Sequence, residues 1–135
     1  MPELGEQLAP LVVRITRSGV VRYAGASTDF NEIHYSDRHA RAIGLDGVVA
    51  HGMWTMGAAL RVVTDWAGDP GRVLSYGVRF TRPVLVPDTD EGIEVTFGGV
   101  VSALEEGVAT VSLSATTQEG AVLGAARAEV RVDHA

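Results

Sequence analysis

The chain has 135 residues, 46% of them hydrophobic, which is enough for one core in a single domain spanning residues 1–135. Its formal net charge of -6 argues against a nucleic-acid surface, since nothing in the sequence supplies a basic patch to neutralise phosphates. All eleven basic residues are arginine, which excludes a lysine Schiff base or a phosphate-loop lysine, and the lack of cysteine excludes disulfides, thiolate nucleophiles and cysteine-ligated zinc.

The first ten residues, MPELGEQLAP, contain no basic run followed by an apolar one, and the longest apolar segment is broken by Arg61 and Asp65. A soluble cytoplasmic protein is expected. Leu11 to Ile15 reads as a first strand, placed at a sheet edge by Pro10. Thr16 caps a helix from Arg17 to about Ala26, weakened by Gly19 and Gly25. Ser36 and Asp37 start a second helix that runs through Ala42 and ends at Gly44, and Leu45 to Ala50 is a loop. From Gly52 to Ala67 the residues are apolar on nearly every side, which predicts a buried helix stopped by Gly68-Asp69-Pro70-Gly71.

The period then changes to two. Leu74, Tyr76, Val78 and Phe80 alternate with polar residues, and the pattern returns at Ile93–Phe97, Ala109–Ala115 and Ala126–Val132. One buried helix followed by antiparallel strands predicts an α+β fold in which a curved sheet wraps its concave face around the helix.

The candidate chemistry lies between Tyr23 and Met56. Asp29 and His34 are five residues apart on a short irregular segment, and a carboxylate and an imidazole so placed can together hold and polarise one water. His51-Gly52-Met53 then opens the long helix on glycine, exposing backbone N–H groups and the positive end of a dipole to an oxyanion. His34, His39 and His51 are not spaced as an i, i+4 pair on one helical face, so no metal or other cofactor is expected. Met53, Trp54 and Met56 read as core, and Arg72, Arg79 and Arg82 as a solvated face able to meet a phosphate.

The runs YAGASTDFNEIH, AHGMWTMG and VRFTRPVLVP resemble the MaoC-type (R)-specific hydratases and dehydratases of the hotdog fold, over nearly the whole chain from about Leu4 to Val132. Within that family the likeness is to the catalytic beta subunits of actinobacterial type II fatty-acid-synthase (3R)-hydroxyacyl-ACP dehydratases. The resemblance implies reversible addition of water across a trans-2-enoyl thioester of CoA or an acyl carrier protein. It places Asp29 and His34 on the family's catalytic pair, Gly52 on the glycine whose N–H faces the thioester oxygen, and Asn31 and His51 in support. It also implies a homodimer, or a heterodimer with a second hotdog subunit. A hotdog thioesterase and a non-catalytic, partner-dependent subunit are the alternatives. Two departures stand out: Glu32 occupies a position where many members have proline and brings a second carboxylate near the site, and Gly57 to Leu60 lacks the hydroxyl that some hydratases carry.

Overall fold

The computed structural model describes residues 1–132, so the last three residues of the expected 1–135 domain lie outside the described part. The element order is β1 (Gln7–Ile15), α1 (Arg17–Ser27), a 3₁₀ turn (Glu32–His34), α2 (Asp37–Ala42), α3 (Gly52–Ala67), a second 3₁₀ turn (Pro70–Arg72), β2 (Val73–Phe80), β3 (Ile93–Glu105), β4 (Val108–Thr117), β5 (Gly120–Ala121) and β6 (Leu123–Arg131). The strands form one antiparallel sheet in the order β1-β3-β4-β6-β2, with β5 paired to β4.

The alternation read from the sequence is what builds the core. Val95, Phe97, Val101, Ala109, Val111, Ala115, Ala128 and Val130 are all essentially inaccessible, while Glu94, Thr96, Ser112, Ser114, Arg127 and Glu129 point to solvent. Helix α3 lies on the apolar face and buries Ala59, Val62 and Val63 there. Alanines at 59, 109 and 128, each 0% exposed, let the helix and sheet backbones approach closely. Tyr76 on β2 donates its hydroxyl to the Met56 carbonyl at 2.7 Å, and Trp66 Nε1 donates to Glu6 at 2.8 Å, so both ends of α3 are tied to neighbouring elements.

The caps follow the sequence reading. Thr16 accepts from Gly19 N–H and Ser36 from His39 N–H, and Gly68, at φ 77°, closes α3 by donating to Thr64. The first strand is longer than expected: it begins at Gln7, and a register shift between Leu8 and Leu11 absorbs Pro10 at the sheet edge. Before β3, Gly92 at φ 60° is required outright, because a Cβ there would lie 2.1 Å from the Ile15 carbonyl oxygen.

Two expectations need correction. Helix α3 is buried on one face only, and Met53 is 62% exposed, because the sheet covers a single side of the helix. The alternating face of β2 is likewise open at Leu74 (45%) and Phe80 (54%), because β2 is an edge strand reached only by β6. No helix among the described residues is long and apolar enough to cross a membrane.

Candidate active site

The segment from Thr28 to His51 crosses from α1 to the start of α3 and is held in place by its own backbone. Thr28, the residue after α1, takes a left-handed conformation at φ 60°, an unfavourable one for a β-branched residue, and so turns the chain just before Asp29. Asp29 Oδ1 accepts from Asn31 N–H at 3.2 Å, and Asn31 Oδ1 accepts from Ile33 N–H at 3.1 Å, capping the 3₁₀ turn that carries His34. Further on, Ala50 N–H donates to Val84 and Val86 N–H to Val48, so residues 48–50 run as a short ladder against 84–86 and deliver His51 to the N-terminus of α3.

These tethers bring Asp29 Oδ2 within 3.7 Å of His34 Nε2. The tautomers follow from the partners, since a backbone carbonyl only accepts. His34 Nδ1 lies 2.7 Å from the Val49 carbonyl and therefore carries the hydrogen, leaving the lone pair of the neutral ring on Nε2, toward Asp29. His51 Nε2 lies 2.9 Å from the Asp29 carbonyl and is likewise the protonated nitrogen. Its Nδ1 is buried without a hydrogen-bond partner among the described residues. The two imidazoles stack at 3.6 Å between centroids and 18° between planes. His51 thus touches both members of the pair, holding the Asp29 backbone by a hydrogen bond and His34 by its face.

Chemically, two acceptors 3.7 Å apart suit one water that donates a hydrogen to each, leaving an oxygen lone pair free for attack. Asp29 is 54% exposed on its side chain and His34 8%, so the pair joins an open carboxylate to a shielded imidazole.

Gly52 opens α3 beside this pair. His51 occupies the capping position without making a side-chain cap, since its ring is committed to Asp29, and the Gly52 N–H has no protein acceptor among the described residues. Phe80 packs against Gly52 so closely that a Cβ there would meet the ring at 3.0 Å. Asp29, Asn31, His34, His51 and Gly52 all line one cleft of about 760 Å³, walled on its apolar side by Ile33, Val49, Met53, Phe80, Val84 and Val122. Met53 therefore faces the cleft and not the core, whereas Trp54 packs edge-on against Phe97 as a core residue.

Three readings from sequence spacing change. Glu32, expected near the pair, turns its carboxylate to His39 Nδ1 at 3.2 Å, because the 3₁₀ turn carries it to the α2 side. Ligand atoms of Asp29, His34 and His51 do come within 4.8 Å of one another, a cluster that linear spacing could not reveal. The two imidazoles in it are stacked, so their in-plane lone pairs run in nearly parallel planes and do not converge on one ion without ring rotation. Of the three arginines considered for a phosphate, Arg82 alone lines the cleft, with its guanidinium on the Glu119 carbonyl.

Comparison with known proteins agrees with this architecture. The chain is 39% identical over 90 residues to 3-hydroxyacyl-thioester dehydratase X of Mycobacterium tuberculosis, covering 65% of this chain and 31% of that protein. It therefore spans about a third of that relative's length. It is 34% identical over 94 residues to the 3-oxo-4,17-pregnadiene-20-carboxyl-CoA hydratase beta subunit of the same organism, covering 70% of this chain and 69% of that protein. Among solved structures, a MaoC-like dehydratase superposes with a TM-score of 0.93 at 34% identity, covering 98% of this chain and 41% of that one. A chain of the ChsH1-ChsH2 complex from M. tuberculosis gives 0.85 at 28% identity, covering 98% and 100%. A chain of the HadBC (3R)-hydroxyacyl-ACP dehydratase complex gives 0.74 at 19%, covering 96% and 97%, a likeness of fold alone. Residues 3–119 match the MaoC-like domain, and the chain belongs to that family, with its hotdog sheet wrapped around α3.

Proposed function

We propose that the protein is a hydro-lyase that adds water reversibly across the double bond of a trans-2-enoyl thioester to give the (3R)-hydroxyacyl thioester. The observation that carries this reading is the pair of acceptors, Asp29 Oδ2 and His34 Nε2, set 3.7 Å apart beside the uncapped start of α3 in one cleft. In the hydration direction, Asp29 and His34 hold one water by its two hydrogens. As the water oxygen bonds to C3, His34 Nε2 takes a proton, and the C2–C3 π electrons move toward the thioester carbonyl. The Gly52 N–H and the α3 dipole stabilise the resulting enolate oxygen. The enolate collapses as C2 receives the proton that His34 has taken, restoring the carbonyl. Asn31 and His51 support this chemistry by fixing the Asp29 loop and the His34 ring. The reverse sequence is dehydration.

The apolar wall made by Ile33, Val49, Met53, Val84 and Val122 suits an acyl chain, and the two curated relatives named above are a hydratase and a dehydratase of thioesters. A second hotdog subunit belongs to the proposal, as a homodimer or as a heterodimer of the kind the ChsH1-ChsH2 and HadBC complexes exemplify. Met53 and Phe80, at the cleft, and Phe30, next to Asp29, are 62, 54 and 61% exposed, an apolar rim that such a partner would cover.

The test is incubation of the purified chain, alone and with a candidate hotdog partner, with enoyl-CoA substrates from crotonyl upward and their carrier-protein counterparts. Loss of the conjugated-thioester absorbance with formation of the (3R) alcohol supports hydration. Release of free thiol without loss of the enoyl group would point to a thioesterase instead.

A further inference from the structure

Thr55 is 2% exposed, lines the same cleft as Asp29, His34 and Gly52, and is a polar residue on the face of α3 otherwise made of Ala59, Val62 and Val63. A buried threonine inside a helix ordinarily returns its hydroxyl to a carbonyl three or four residues back. Thr55 does not: its hydroxyl makes no hydrogen bond with any described residue, and the His51 carbonyl accepts only from the backbone N–H groups of Trp54 and Thr55. Nor is the hydroxyl sealed from the cleft, unlike His51 Nδ1. Burying a hydroxyl unpaired is unfavourable, so a group of this kind marks a place where a partner arrives from outside.

Helix geometry says where that partner lies. Side chains tilt toward the helix N-terminus, so residue 55 leans over the turn that begins at Gly52, on the same face three residues on. We propose that the Thr55 hydroxyl is a second hydrogen-bond donor to the thioester carbonyl oxygen, acting beside the Gly52 N–H. The proposal rests on the thioester reading of the cleft. It also bears on the missing hydroxyl in Gly57 to Leu60: this chain supplies one a turn earlier in the same helix.

The test uses Thr55→Val, which keeps the shape and removes the hydroxyl, and Thr55→Ser, which keeps the hydroxyl. Carbonyl-labelled trans-2-octenoyl-CoA is bound to each in an Asp29→Asn background, and the carbonyl stretch is read by Raman difference spectroscopy, which needs no turnover. The band should shift less from its free position in Thr55→Val and return toward the original shift in Thr55→Ser. In the active background, Thr55→Val should lower kcat on the order of tenfold with KM little changed, and Thr55→Ser should recover most of it. A bound thioester whose carbonyl band is the same in Thr55→Val as in the parent protein would overturn the proposal and leave the hydratase reading standing. Failure of the parent protein to bind any enoyl thioester would remove that reading, and the proposal with it.

Discussion

Replacing Gly52 by alanine separates what this position does for the fold from what it does for the cleft. A Cβ at Gly52 would stand 3.0, 3.1 and 3.3 Å from Cε1, Cζ and Cδ1 of Phe80. Ordinary carbon contacts are about 3.5–4.0 Å, so the ring must retreat by roughly half an ångström. Phe80 is 54% exposed at the end of an edge strand and has room to move. Rotating it off its preferred angle costs about 0.5–1.5 kcal/mol. Replacing glycine by alanine at a compatible backbone conformation returns about 0.4–1 kcal/mol by restricting the unfolded chain, and Gly52 has no positive φ that would resist alanine. The two terms nearly cancel, so the unfolding midpoint should move by only about 4 °C or less. Turnover should respond differently, because in the proposed mechanism the substrate oxygen meets the Gly52 N–H, on the very residue that gains the methyl and against which the ring packs. Misplacement of about 1 Å costs about a hundredfold, so a shift of roughly half that should lower kcat/KM by about tenfold. The assay pairs thermal unfolding with enoyl-CoA hydration, and Phe80→Ala in the Gly52→Ala background gives the methyl the space it lacks, so part of the loss should return. Gly52→Ala with wild-type kcat/KM would show that the open end of α3 is not used, and a loss of activity matched by a collapse in stability would refute the separation.

Glu32→Gln breaks the pair with His39 on an exposed face, so it should change stability by about 1 kcal/mol or less and leave turnover near wild type, as thermal unfolding and hydration assays can check. Asp37 Oδ1 accepts from Val48 N–H at 2.9 Å and from Arg17 at 2.8 Å, and the backbone hydrogen bond, followed by Arg17, holds its carboxyl below the ordinary value of 3.8. The unfolded chain therefore takes up that proton first on acidification, and the contribution of Asp37 is present above pH 3.8 and lost as pH falls through the folded value. Asp37→Asn should be about 1–2 kcal/mol less stable at neutral pH, with the gap to wild type closing in acid. Burial pushes the Tyr76 hydroxyl up to about 12 from 10.0, so its contribution is complete below pH 10 and lost as pH rises toward 12; Tyr76→Phe should flatten that alkaline decline in unfolding midpoint.

Much of the fold was legible because local chemistry states it directly. The glycine at 52 and the Gly68-Asp69-Pro70 stop bound α3 at both ends, Thr16 and Ser36 announce their helices, and the two-residue period of β3, β4 and β6 reports one wet and one dry face. The apolar alternation of β2 was misleading because hydrophobicity does not say how fully a neighbour covers a residue; on an edge strand, Leu74 stays 45% exposed and Phe80, although it packs against Gly52, 54%. Met53 was read as core for the same reason. Asp29 and His34 were visible because their spacing is local, but the stacking of His51 on His34 depends on the ladder between residues 48–50 and 84–86, more than thirty positions apart in sequence. Glu32 was misplaced because closeness in sequence does not say which way a side chain leaves the backbone; the 3₁₀ turn over residues 32–34 sends it to His39 on α2. Thr55 carried no signal in an apolar run until its hydroxyl was found without a partner, although a hydroxyl three residues after the opening glycine of a helix is a pattern that a sequence can show.

The central claim is that Asp29 and His34 act as a unit on one water. The most direct test is a double-variant cycle in kcat/KM for enoyl-thioester hydration, with Asp29→Asn, His34→Ala and the two combined, each shown by thermal unfolding to be folded. Each single variant should lose about two orders of magnitude or more, and the double variant should be little worse than either, since removing one holder of the shared water removes the function of the other. Losses that multiply in the double variant would contradict the shared water and assign the two side chains to separate steps.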